Sequence, residues 1–125
     1  MTAREFTDDA PDLAAEADRL TAFVDAQSSL VLAVASMDEG VPVIGTLPFA
    51  MRDGAFWVLA SELAAHTRPL LAWREARIAL LADQSASRNP FARERAQWAA
   101  RVESVGRDEE RFASITTALR ERHGK

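Results

Sequence analysis

In SELAAHTRPLLAW, residues 61–73, a serine, a histidine, a threonine and an arginine gather where an apolar run gives way to a helical pattern. Thr67 reads as an N-cap, Pro69 suits the first helical turn, and Leu70, Leu71 and Trp73 supply the apolar side of the helix. Free amides at such a start, with the guanidinium of Arg68 beside them, favour a phosphate or carboxylate. The same residues also describe an ordinary capped helix with a solvated arginine, and capping is commoner than ligand binding.

Other candidate groups are fewer. Arg88, Arg93 and Arg95 would form a cationic lip if they faced one point, and a solvated loop and strand face if they did not. His66 is suited to acid–base chemistry or to a hydrogen bond at the helix start, the usual employment of a lone histidine. Trp57 and Trp98 sit in apolar runs and read as core, whereas Trp73 has the same alternatives of core and ring stacking. Asp8, Asp9, Glu109 and Glu110 fall at helix starts, where they complement the helix dipole. No nucleophile–base–orienter set, glycine-rich phosphate loop or spaced metal-ligand motif occurs.

The chain of 125 residues has the length of one compact domain. A formal net charge of −4 disfavours nucleic acid as a partner. With no cysteine, disulfides, thiolate metal sites and cysteine nucleophiles are excluded, and the chain's 2 histidines are His66 and His123. No apolar run approaches the roughly 20 residues of a membrane span, and the acidic start lacks a signal peptide's pattern. A cytoplasmic protein is expected.

The elements that must position these residues follow from periodicity. After a frayed start over residues 1–9, Leu13, Ala17, Leu20 and Val24 form a helical stripe with Phe23 beside it. Strands are expected over 29–37, 41–51 and 55–61, joined by Asp38-Glu39-Gly40 and Arg52-Asp53-Gly54. The short helix at 68–74 leads to a fourth strand at 77–82, a loop at 84–92 holding Asn89-Pro90, and a fifth strand over 94–105. In that last strand Ala96, Trp98, Ala100 and Val102 share one face, and Arg95, Gln97, Arg101 and Glu103 the other. A final helix carries Phe112, Ile115 and Leu119 and ends at Gly124. The pattern predicts an α+β fold, mainly antiparallel β, as a small barrel or curved sheet with helices at its margins.

With its segments in this order, the chain resembles the split-barrel proteins related to pyridoxamine 5′-phosphate oxidase, in particular their haem-utilisation branch. The resemblance rests on LVLAVASMDEGVPVIGTLPFAMRDGAFWVLAS, LAAHTRPLLA, ARIALLADQS and RNPFARERAQW, and covers roughly residues 12–106. It implies a split β-barrel with flanking helices and a homodimer whose cofactor pockets lie between the subunits. Flavin-binding relatives hold the FMN phosphate where His66, Thr67 and Arg68 fall here, with Ser61 and Arg88 as further cofactor-binding candidates. The leading expectation is therefore FMN binding, with flavin-dependent oxidoreductase chemistry if the protein is an enzyme. Relatives continue into a further strand and tail, and this chain is expected to lack that last strand. In the haem-degrading members the tail carries the axial histidine, so the alternatives are haem binding without turnover and a cofactor-free dimeric scaffold.

Overall fold

The computed structural model describes residues 12–37, 40–86 and 88–124. The start expected to fray over residues 1–9, and Asp38 and Glu39 of the first turn, lie outside the described residues.

Helix α1 (Leu13–Ala26) begins at Asp12, whose carboxylate accepts hydrogen bonds from the amides of Ala14 and Ala15, each 3.1 Å long. This satisfies two of the donors that a helix start leaves without partners. The expected stripe is covered at its C-terminal end: Val24 is buried and Phe23 packs on the core, while Leu13 and Leu20 stay exposed.

Strands β1 (Ser29–Val34) and β2 (Val43–Pro48) pair antiparallel, with Ser29 opposite Pro48 and Val34 opposite Val43. The single strand expected over 41–51 divides at Phe49. The Phe49 amide donates to the Ser28 carbonyl at 3.1 Å, and the chain then enters a separate hairpin of β3 (Ala50–Arg52) and β4 (Ala55–Trp57). Its turn, Asp53-Gly54, takes positive φ at both positions, 53° and 74°, as a tight two-residue hairpin requires. The strand expected over 55–61 accordingly stops at Trp57, and the described residues form six strands where the sequence pattern predicts five.

Helix α2 (Thr67–Trp73) ends at Arg74, whose left-handed conformation, φ 56°, turns the chain into β5 (Glu75–Leu81). Strand β6 (Arg95–Arg101) pairs with β5, giving a sheet of order β2-β1-β5-β6 with antiparallel neighbours. The alternation expected of β6 is present, with Ala96, Trp98 and Ala100 turned inward. Two 3-10 turns, Gln84–Ala86 and Pro90–Ala92, occupy the β5–β6 connection.

Leu30, Leu32 and Val34 of β1, Leu47 of β2, Ile78 and Leu80 of β5, Leu70 of α2 and Phe49 form the core. Burying each such side chain contributes about 2 kcal/mol. Phe56 bridges Phe49 and Trp98, with tilted rings 5.4 and 5.3 Å apart, and so couples the hairpin to the sheet. No ladder joins the two sheets among the described residues.

Helix α3 (Glu110–His123) closes the fold with its last turn. Arg122 donates to the carbonyls of Asp25 and Gln27 at 2.7 and 2.5 Å, so a cation meets the negative end of α1. His123 Nε2 donates to the Phe49 carbonyl at 2.6 Å. The architecture is the α+β, antiparallel one expected.

Candidate functional site

The loop from β4 to α2 is tied down by Ser61. Its Oγ accepts the Leu63 amide at 3.2 Å, and its carbonyl accepts the Ala64 amide at 3.1 Å together with the Thr67 hydroxyl. The N-cap of α2 is His66, not Thr67. Thr67 takes the first helical position with its side chain turned inward, where its hydroxyl donates to the Ser61 carbonyl in place of a local cap. Its hydroxyl is therefore committed to Ser61.

His66 is 8 % exposed and lies against Gly45 on the inner side of β2. Any side chain at 45 would run into the imidazole, so the glycine permits this approach. Nε2 of His66 is buried without a hydrogen-bond partner.

Arg68 points outward, and among the described residues it makes no hydrogen bond or ion pair. It lines an open cavity of about 410 Å³ with Met37, Val41, Val43, Ala65 and Pro69, between the end of the β1–β2 hairpin and α2. Arg88 is exposed on the loop between the two 3-10 turns. No hydrogen bond or ion pair joins it to the other four candidates among the described residues. Ser61, His66 and Thr67 are thus brought together and serve mainly to hold α2, Arg68 stands at a cavity, and Arg88 stands apart.

A haem-type cofactor asks for an accessible nitrogen for iron and for cations facing its carboxylates. Neither histidine meets the first need: His66 is buried against β2, and His123 is engaged by the Phe49 carbonyl. The cationic need is met more widely than the sequence pattern suggests. Arg77, Arg95 and Arg101 project from the outward face of the four-stranded sheet beside exposed Val31 and Ile44. The sequence pattern does not single out Arg77. Its signal was the apolar residues of β1 falling on both faces, a pattern that leaves no face for water.

Trp57 is half-buried, donates through Nε1 to the Arg52 carbonyl at 2.9 Å and carries the Arg111 guanidinium 5.5 Å from its ring. Trp98 packs against the core and Trp73 is exposed. Arg93 uses its Nε to hold the Ala82 carbonyl, a structural bond across the β5–β6 connection.

These elements define an α+β protein in which a four-stranded antiparallel sheet and a short hairpin enclose one core. No family model matches the chain. Heme oxygenase HutZ from Vibrio cholerae is 29% identical over 100 residues, which make up 79% of this chain and 57% of HutZ. The chain thus spans just over half the length of that curated relative. The crystal structure of HutZ, there called the heme storage protein from Vibrio cholerae, superposes with a TM-score of 0.78 at 27% identity, covering 86% of this chain and 75% of that one. Campylobacter jejuni ChuZ superposes with a TM-score of 0.81 at 21% identity, covering 91% of this chain and 46% of that one, a likeness of fold. Both names given to HutZ refer to haem. Among the described residues no helix is long and apolar enough to cross a membrane.

Proposed function

We propose that this protein binds haem and holds it or passes it on without degrading it, acting as a homodimer. The likeness to HutZ supports haem as the ligand, and the reading places haem ahead of FMN, the reverse of the order the sequence motifs suggest. The observation that carries the distinction between holding and degrading is the state of the two histidines: His66 is buried against Gly45, and His123 is hydrogen-bonded to the Phe49 carbonyl. Exposed Leu63, Leu71 and Trp73 around α2 supply apolar surface for a second copy to cover. Addition of ferric haem to the purified protein tests the reading. A saturable Soret change without formation of a bile pigment in the presence of a reductant is expected, and steady loss of the Soret band to a bile pigment would overturn it. Sedimentation should give twice the chain mass.

A second reading is favoured by one observation, the unpaired Arg68 at its open cavity. A small phosphate-bearing cofactor such as FMN would place its phosphate there, with Arg68 as its forked donor. The cofactor would supply the redox chemistry and the protein would orient it. Of the expected cofactor contacts, Ser61 and Thr67 would act on this site through the loop they brace, and Arg88 would join it from the partner subunit. If neither haem nor FMN binds, a cofactor-free dimeric scaffold is the account that remains.

A further inference from the structure

We propose that the free edge of β6 accepts one further strand from a separate polypeptide, an extended acidic segment that pairs through its backbone and covers Trp98.

The bonds at the two ends of the β5–β6 ladder show which groups of β6 are already used. The Ala82 amide donates to the Glu94 carbonyl at 2.9 Å and the Val102 amide to the Arg74 carbonyl at 2.8 Å, and each pair stands directly opposite in the register of the two strands. In an antiparallel ladder, opposite residues that exchange hydrogen bonds alternate with opposite residues that do not. Ala96, Trp98 and Ala100 therefore bond to β5. Arg95, Gln97, Ala99 and Arg101 turn their amides and carbonyls the other way, where no strand pairs among the described residues. Each offers one donor and one acceptor, at the spacing of an extended chain.

The core is also open on this side. Leu30, Leu32 and Val34 of β1 and Ile78 and Leu80 of β5 are buried, whereas Ala96, Trp98 and Ala100 on the same inner side of β6 are all partly exposed. The opposite edge of the sheet is protected. Strand β2 follows Pro42 and ends at Pro48, residues with no amide to offer, and His66 lies against its inner side at Gly45. Strand β6 contains neither proline nor glycine. An added strand with apolar residues on its inner side would cover Trp98, and its remaining side chains would extend the row of Arg95, Gln97, Ala99 and Arg101.

The charge of that row selects the partner. Strand β6 begins at Arg95, ends at Arg101 and holds no acidic residue. Glu75 stands opposite Arg101 on β5, and no ion pair joins them among the described residues. Arg95 holds the carbonyls of Arg93 and Phe91 through Nε and Nη2, which leaves its charge without a carboxylate. On an antiparallel partner strand, acidic residues with the spacing of Arg95 and Arg101 would each fall opposite one arginine, a favourable cross-strand pairing. A second copy of β6 matches less well. Self-pairing centred on Trp98 sets Arg95 against Arg101 at both ends. Centred on Ala99 it sets Arg95 against Glu103, which lies past the end of β6 and already faces Arg111 at 3.9 Å.

The probe is a short synthetic peptide with glutamate at each end and valine alternating with threonine between, titrated into the intact chain and followed by tryptophan fluorescence. Saturable binding is expected, with slowed amide exchange at Arg95, Gln97, Ala99 and Arg101 and unchanged exchange in β2. The same peptide with lysine at its ends should bind about tenfold more weakly. Methylation of the threonine amides, which would point at β6, should abolish binding. Ala99→Pro removes an edge amide and spares the β5 ladder, so it should weaken the peptide by about tenfold while circular dichroism shows an intact fold. No saturable binding of the glutamate peptide would overturn the proposal, and so would binding that both Ala99→Pro and amide methylation leave unchanged. Equal binding of the lysine peptide would overturn the acidic character of the partner. If the chain sedimented as a dimer that Ala99→Pro converted to a monomer, the edge would belong to a second copy and the separate partner would fall.

Discussion

The imidazole of His66 occupies the space into which a side chain at position 45 would project, so α2 and β2 approach as they do because residue 45 is glycine. The two residues lie on different elements. Their fit sets the depth of the loop that carries Ser61, Thr67 and Arg68.

Gly45→Ala should therefore displace the ring and destabilise the fold by about 1–3 kcal/mol, the usual cost of forcing extra volume into a packed site. Removing the ring relieves the clash, so Gly45→Ala/His66→Ala should cost less than the sum of the single changes. Urea unfolding of the four proteins measures this, and strict additivity would show that the two positions do not meet.

Thr67→Val keeps the shape of the side chain and deletes its bond to the Ser61 carbonyl. That carbonyl retains the Ala64 amide at 3.1 Å, so the loss should be about 1 kcal/mol, short of the cost of an abandoned buried acceptor. The thermal midpoint is the readout, with a fall of a few degrees expected.

Arg122→Met should loosen the junction of α3 with α1, since the guanidinium holds the carbonyls of Asp25 and Gln27. A loss of about 1 kcal/mol is expected. Amide exchange near the end of α1 should accelerate while exchange in β5 is unaffected; uniform acceleration would instead indicate a global effect.

The Asp83 carboxyl is held below its ordinary aspartate value, first by the backbone hydrogen bond from Ser85 and then by the Ser85 side chain, against an opposing desolvation, with the charge of Arg93 adding the least. A lowered folded value means that the charged form stabilises the fold above the ordinary aspartate range. That contribution is lost as pH falls through the lowered value. The stability gap between wild type and Asp83→Ala should narrow on acidification, and a gap constant with pH would contradict this.

Much of the frame is legible in the chain because it is written in local periodicity. The alternation around Trp98 gives β6, and the Asp53-Gly54 turn gives the hairpin. The division at Phe49 is not legible, since it depends on a bond from Phe49 to Ser28, far back in sequence. The cap of α2 is misread for a similar reason: Thr67 looks like a cap until a loop brings Ser61 to its hydroxyl. Of the candidate cofactor contacts, Arg68 alone combines free charge with a cavity, while His66 finds its place against a residue on another strand. The outward place of Arg77 appears only once register sets it beside Ala33 and Ala99.

The most direct test of the central claim is an equilibrium titration of the purified chain with ferric haem, followed at the Soret band, with FMN fluorescence titrated in parallel. Saturable, stoichiometric haem binding with no comparable FMN response is the predicted result. Saturable FMN binding with haem merely partitioning in proportion to its concentration would contradict it and return the site to Arg68.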